Sequence, residues 1–308
     1  IIGGMLWIKM TKGNVMTAID LSALGLDKIE ETSVSENKGR LKRKLIQFTA
    51  ALIYNADVSH WFNGTISQTQ MKKVCVPGLN CYSCPGAVSS CPLGALQNTL
   101  ASGKVPFFIT GFFLLIGTLF GRLVCSFLCP FGLFQELLYK IPSPKIKHTA
   151  KLRPITRKFS LLKYFIFAMM CIILPIIFYF KDGFASPFFC KWICPEGTIF
   201  AGWPLVGMNQ SLRGAIGFLF SWKTALAAIF ILWAILMFRP FCRFFCPLGA
   251  IYSFFNKWAI FGIKVDETKC THCNACVKSC KMDTKKINDR ECIRCGECKS
   301  KCEAGAIK

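Results

Sequence analysis

Cys270-Thr271-His272-Cys273-Asn274-Ala275-Cys276-Val277-Lys278-Ser279-Cys280 and Cys292-Ile293-Arg294-Cys295-Gly296-Glu297-Cys298-Lys299-Ser300-Lys301-Cys302 repeat one spacing, C-x2-C-x2-C-x3-C. Three thiolates in a tight loop wrap one [4Fe–4S] cubane, and the fourth cysteine of each run crosses to the other cubane. The spacing predicts one cluster on Cys270, Cys273, Cys276 and Cys302, and a second on Cys292, Cys295, Cys298 and Cys280. Structural zinc prefers two CxxC pairs set farther apart, so the doubled four-cysteine run favours clusters. His272, between two of these cysteines, reads as a surface residue.

Outward from this segment the chain changes character. It has 308 residues, 53% of them apolar and 18% charged, with 29 phenylalanines. That balance is too apolar for an ordinary soluble domain of this size, and it places much of the chain in lipid. The formal charge is +22. Its Lys and Arg residues lie mostly beside apolar runs, as the positive-inside rule requires, which argues against nucleic acid as a partner. No secretory signal peptide with a small-residue cleavage site is legible.

Residues 1–40 form a polar N-terminal segment whose only helical hint is the amphipathic stretch Ala18–Ile29. A basic knot follows at Lys38, Arg40, Lys42, Arg43 and Lys44. The apolar runs after it are Leu45–Phe62, interrupted by Gln47, Asn55, Asp57 and His60, then Val105–Phe120, Tyr164–Phe180 and Thr224–Phe238. The last three fall slightly short of the roughly 20 residues that span a bilayer. Residues 181–221 mix Pro, Gly and Trp with short apolar stretches, a composition for re-entrant or interfacial structure. Eight Lys/Arg and no acidic residue lie between Lys140 and Lys163, which assigns that loop to the cytoplasm. Tracing the four runs from it puts the C-terminal segment inside and residues 72–100 outside. The expected fold is an all-α membrane domain over 41–263, of about four spans, with a small α+β unit over 264–308.

A second signature, C-x3-C-P-x-G, occurs at Cys125–Gly132, Cys190–Gly197 and Cys242–Gly249. An incomplete copy ends at Cys91-Pro92-Leu93-Gly94, with Ala87 in place of its first cysteine. Cysteines at i and i+4 share a face of one helical turn. A following proline is suited to open the next helix, whose N-terminal dipole favours an anionic cluster. Topology groups Cys125, Cys129, Cys242 and Cys246 at inner span ends, four thiolates for one [4Fe–4S] cluster. Arg122 and Arg239 precede these motifs at like positions, to offset the charge of the cluster or to anchor the interface. Outside lie Cys75, Cys81, Cys84, Cys91, Cys190 and Cys194, six candidates for one further cluster. Cys190, Cys194 and Cys91 with one of the others is one set, Cys75, Cys81, Cys84 and Cys91 another, and an outer disulfide a third use. Cys171, alone inside a span, reads as a buried small hydrophobe.

On these residues the chain resembles the NapH/NosR/YccM-type membrane ferredoxins, or polyferredoxins. They carry CxxxCP motifs at span ends followed by a two-cluster bacterial-type ferredoxin domain. The proline that follows each fourth cysteine in such ferredoxins is Lys281 and Glu303 here. The resemblance implies a multi-pass protein of a prokaryotic cell membrane, with its ferredoxin domain in the cytoplasm. It implies an electron carrier between a cytoplasmic or quinol donor and a membrane or outer-face acceptor, acting with other redox subunits, a flavoprotein or a quinone among the partners. Two rivals stand beside it: a quinol dehydrogenase subunit whose own site uses Asp57, His60 or Glu196, and a redox-sensing regulator or assembly factor. A subunit of an oxidoreductase complex is favoured over a stand-alone enzyme.

Overall fold

The apolar runs fall into helices, in which backbone N–H and C=O groups pair within the segment, the arrangement a bilayer demands of a chain that spans it. The computed structural model describes residues 26–146, 152–214 and 216–307. Residues 1–25, most of the polar N-terminal segment and the start of its amphipathic stretch, lie outside the described residues, as do 147–151 of the basic loop.

Helix α1 (Leu26–Tyr54) carries the basic knot. The first expected run, Leu45–Phe62, does not continue as one helix. It stops at Tyr54, where the Val88 N–H donates to the Tyr54 carbonyl (3.0 Å) and the Asp57 N–H to the Gly86 carbonyl (3.1 Å). The loop before Cys91 thus captures the chain and turns it. Two matching halves follow. The first contains α2 (Pro92–Ala101), α3 (Phe107–Phe120), α4 (Leu123–Phe127) and α5 (Pro130–Tyr139). After the basic loop comes the long helix α6 (Arg153–Asp182). The second half contains α7 (Phe188–Trp192), α8 (Thr198–Met208), α9 (Phe218–Leu236), α10 (Pro240–Phe244) and α11 (Pro247–Phe255).

Among the described residues, α6 and α9 are long and apolar enough to cross a membrane; α3 and α8 are apolar but shorter. Only 22% of the α6 window and 17% of the α9 window is buried inside the protein. These helices therefore turn their apolar faces outward, unlike the core helices of a soluble protein. In α6 and α8 a wide π turn, at Phe167–Ile173 and Thr198–Gly202, runs up to a proline, Pro175 and Pro204. Proline lacks the N–H that would close the helical bond and crowds the preceding turn, and the ladder relaxes upstream of it.

An edge-to-face aromatic contact joins the halves, Phe131 of α5 with Phe241 of α10, and Phe241 meets Phe230 of α9 within the second half, both at 5.2 Å between ring centroids. Among the described residues, β-structure is confined to isolated bridges, Cys75 with Ser90 and Val265 with Ile307. The C-terminal unit, expected as α+β, is held by that second bridge and by turns. Its cysteine runs leave few residues for strands. Its two runs share a backbone pattern: positive φ occurs at His272 and Asn274 around Cys273, and at Arg294 and Gly296 around Cys295. Asp283 and Gly305, three residues after each fourth cysteine, repeat it. Such turns line up backbone N–H groups in anion-binding concavities.

Candidate metal centres

Helix starts place the membrane cysteines. Pro92, Pro130 and Pro247 each occupy the first turn of a helix, and Cys91, Cys129 and Cys246 cap those helices in extended conformation. The first cysteines of the motifs, Cys125, Cys190 and Cys242, sit on the one-turn helices α4, α7 and α10. Each complete motif thus presents one thiol from a helical turn and one from the next helix N-terminus.

The four cysteines of the inner group lie near one another in the fold. Cys125, Cys129, Cys242 and Cys246 are all buried. The Cys242 and Cys125 thiols lie within electrostatic range of Cys129 and Cys246. The two halves contact each other reciprocally. Arg122 donates to the Cys242 carbonyl at 3.3 Å, and Arg239 to the Cys125 carbonyl at 2.5 Å. A Cβ on Gly132 would lie 2.9 Å from the Cys125 carbonyl, and one on Gly249 would lie 3.1 Å from the Cys242 carbonyl. Glycine is required there by close approach. Both arginines have no solvent exposure, which removes the alternative of lipid–water anchors. Arg239 pairs with Glu136 (2.8 Å), which Arg43 also grips through two bonds of 2.9 and 3.0 Å. Arg122 pairs with Glu291 at 2.8 Å, and Lys163 reaches the same carboxylate at 2.6 Å.

This environment fits an anionic iron–sulfur cluster. The buried Nε atoms of Arg122 and Arg239 have no hydrogen-bond partner among the described residues, a costly state that negatively charged sulfur would relieve. Four thiols, two flanking guanidiniums and a donor to sulfur form a consistent set. The donor is Gln135, whose Nε2 lies 3.0 Å from Cys242 Sγ while its Oε1 accepts from the Phe241 N–H at 3.2 Å. Gln97 does the same at the outer group, with Nε2 3.3 Å from Cys190 Sγ and Oε1 2.9 Å from the Phe189 N. Both glutamines follow a CP cysteine by six residues. That repeated offset was legible in the sequence and is missing from the reading above, as are Glu136 and Glu291.

In the outer group, burial first and then the charges of Cys194, Cys91 and Cys81 push the Cys190 thiol up. Cys81 is pushed up to about 12 by burial, Glu196 and Cys194. Cys84 lies within range of Glu196, Lys72 and Cys81, whereas the side chain of Cys75 bonds to Ser90. The segment expected on the outer face also reaches inward. A Cβ on Gly78 would lie 2.9 Å from Cys129 Cα, and the Tyr252 hydroxyl donates to the Pro77 carbonyl at 3.0 Å. Tyr252, fully buried, feels thiols of both groups, Cys125 and Cys91 first among them. The two cysteine groups are near neighbours rather than features of opposite surfaces.

In the C-terminal unit, Cys280 lies within electrostatic range of Cys292, Cys295 and Cys298, the crossed grouping expected from the spacing. Cys270 and Cys273 do the same for Cys276. Cys276, Cys280, Cys292, Cys295 and Cys298 line one cavity. The unit is seated over the inner group. Asn256 of the α11 C-cap donates to the Asp289 and Cys292 carbonyls at 2.6 and 2.8 Å. Arg157 donates to the Asp283 and Thr284 carbonyls at 2.8 and 3.0 Å, and buried Arg243 pairs with Asp283. Part of the basic loop therefore grips the C-terminal unit.

Comparison with known proteins agrees with this donor set. A 4Fe-4S binding domain matches three times, at residues 102–148, 163–211 and 218–265. Two uncharacterized proteins of Methanocaldococcus jannaschii are similar. One is 30% identical over 190 residues, covering 61% of this chain and 63% of the relative; the other is 28% identical over 199 residues, covering 63% and 74%. The chain thus spans a little under two thirds of the length of the first relative. No solved structure matches. Each complete C-x3-C-P-x-G copy lies within one of the three domain matches, which support iron–sulfur binding by this part of the chain.

Proposed function

We propose that this is a membrane-embedded iron–sulfur electron carrier of the NapH/NosR/YccM type. Electrons pass between the C-terminal two-cluster unit, a cluster on Cys125, Cys129, Cys242 and Cys246, and the outer cysteine group. The observation that carries this reading is continuity: one buried core contains Cys125, Cys129 and Cys246 together with Cys91 and Cys194, and half-buried Cys280 and Cys295 pack against it. Arg122 spans the first junction, bonding both the Cys242 carbonyl and Glu291 beside Cys292. Tunnelling falls steeply with distance, so clusters packed into one core suit a relay that crosses the molecule.

The reading places four apolar passes in a prokaryotic cell membrane and the C-terminal unit on the cytoplasmic face. The basic knot supports that side, since Arg43 reaches both Glu136 and Glu297 of the C-terminal unit. The electron donor is cytoplasmic or a quinol, and the acceptor is a partner redox subunit in the membrane or beyond it. A quinol dehydrogenase with its own proton-accepting site is the second reading. Glu196, a carboxyl buried beside the outer thiols, is the observation that favours it.

Iron and acid-labile sulfide per chain in anaerobically purified protein test the relay. Four cubanes give about sixteen irons. A value near eight would remove the membrane clusters and the relay with them. Quinol oxidation by the isolated chain would decide for the second reading.

A further inference from the structure

Three copies of the membrane motif carry both cysteines, but the copy ending at Cys91 has Ala87 in the first position. In the inner group each half supplies two thiols. The outer group keeps the same reciprocity with one change of donor. A Cβ on Gly94 would meet Cys190 Sγ at 4.0 Å, and a Cβ on Gly197, the equivalent glycine of the other half, would meet Cys81 Sγ at 3.1 Å. Cys81 stands toward Gly197 as Cys190 stands toward Gly94. Gln97 completes the parallel by bonding Cys190 as Gln135 bonds Cys242.

Local structure explains the exchange. A one-turn helix presents the first cysteine of every complete motif, at α4, α7 and α10. No such helix precedes Cys91. The Ser90 N–H donates to the Val74 carbonyl at 3.1 Å, and the Val76 N–H to the Ser90 carbonyl at 3.0 Å, which holds residues 81–90 as turns. Asn80 fixes this loop by donating to the Ser89 carbonyl at 3.0 Å. The loop that displaces the helix carries Cys81 to the site.

We infer that Cys81, Cys91, Cys190 and Cys194 form a second membrane [4Fe–4S] site, with Cys81 replacing the thiolate that the repeat lacks at Ala87. This rests on the relay reading and completes its outer end. The assignment leaves out Cys84 and Cys75: neither thiol stands against Gly94 or Gly197, and Cys75 is held in the bridge with Ser90.

The test compares full-length wild type with Cys81→Ala, Cys84→Ala and Cys75→Ala, by iron and sulfide per chain and by EPR of the reduced protein. Wild type, Cys84→Ala and Cys75→Ala are expected to keep about sixteen irons, and Cys81→Ala to keep about twelve and lose one EPR component. Loss of about four irons from Cys84→Ala or Cys75→Ala overturns the assignment, even where Cys81→Ala fails to accumulate. So does full iron in Cys81→Ala. A wild type near twelve irons removes the outer site and leaves the relay from the C-terminal unit to the inner cluster, whereas a value near eight removes both.

Discussion

Gln135 holds Cys242 Sγ with one end of its amide and the Phe241 N–H with the other. Hydrogen bonds to cluster sulfur raise a cluster's reduction potential by stabilising the more negative reduced state. Gln135→Leu is expected to lower the potential of the inner cluster alone, read by EPR-monitored redox titration, and to cost about 1–3 kcal/mol for the orphaned amide. Arg239 is more exposed to loss of a partner. It is fully buried, bridges Glu136 and the Cys125 carbonyl, and adopts a left-handed backbone with φ 49°. Removing one member of a buried ion pair costs about 3–5 kcal/mol. Arg239→Met should destabilise the loaded protein by that order in thermal denaturation. Arg239→Lys should rescue it incompletely, because lysine cannot form both bonds in the planar geometry of a guanidinium.

At the level of elements, the motif works because a one-turn helix, a capping cysteine and a proline-started helix are joined without slack. The glycine two residues after each proline lets one half approach the other. In Gly132→Ala the new methyl meets the Cys125 carbonyl and the Arg239 guanidinium, both within about 3 Å. Overpacking of this kind costs about 1–3 kcal/mol. The expected result is loss of inner-cluster iron on brief chelation, with the C-terminal clusters retained. Gly111, on the outward face of α3 with nothing within 4 Å of its added Cβ, is the control, and Gly111→Ala should leave the iron content unchanged. The helical periods and the C-P pairs announced these elements in the sequence. Two boundaries were not legible. The stop at Tyr54 is imposed by bonds to residues 86–88, distant in sequence, and the π turns follow from prolines already inside helical runs.

The whole molecule is organised by charge as well as by apolar packing. Arg43, Arg122, Arg153, Arg157, Lys163 and Arg243 all reach acidic groups or carbonyls of the C-terminal unit. In the sequence Arg43, Arg153, Arg157 and Lys163 looked like topology signals. Asp283→Ala would leave Arg243 buried without its carboxylate, at a cost of about 3–5 kcal/mol. Limited proteolysis should then release the C-terminal unit faster, and electron transfer from it to the inner cluster should slow, while the iron count stays at the wild-type value. The sequence by itself determined the ligand chemistry, because cysteine spacing along a short loop or one helical turn is a local property. It also determined which segments are apolar enough for lipid. Only the tertiary structure decided which of the six outer cysteines meet. That choice depends on a loop pinned through Ser90, on glycines that admit a sulfur from the opposite half, and on a core that draws the two membrane groups together around Tyr252. No spacing rule encodes contacts between residues so far apart in the chain.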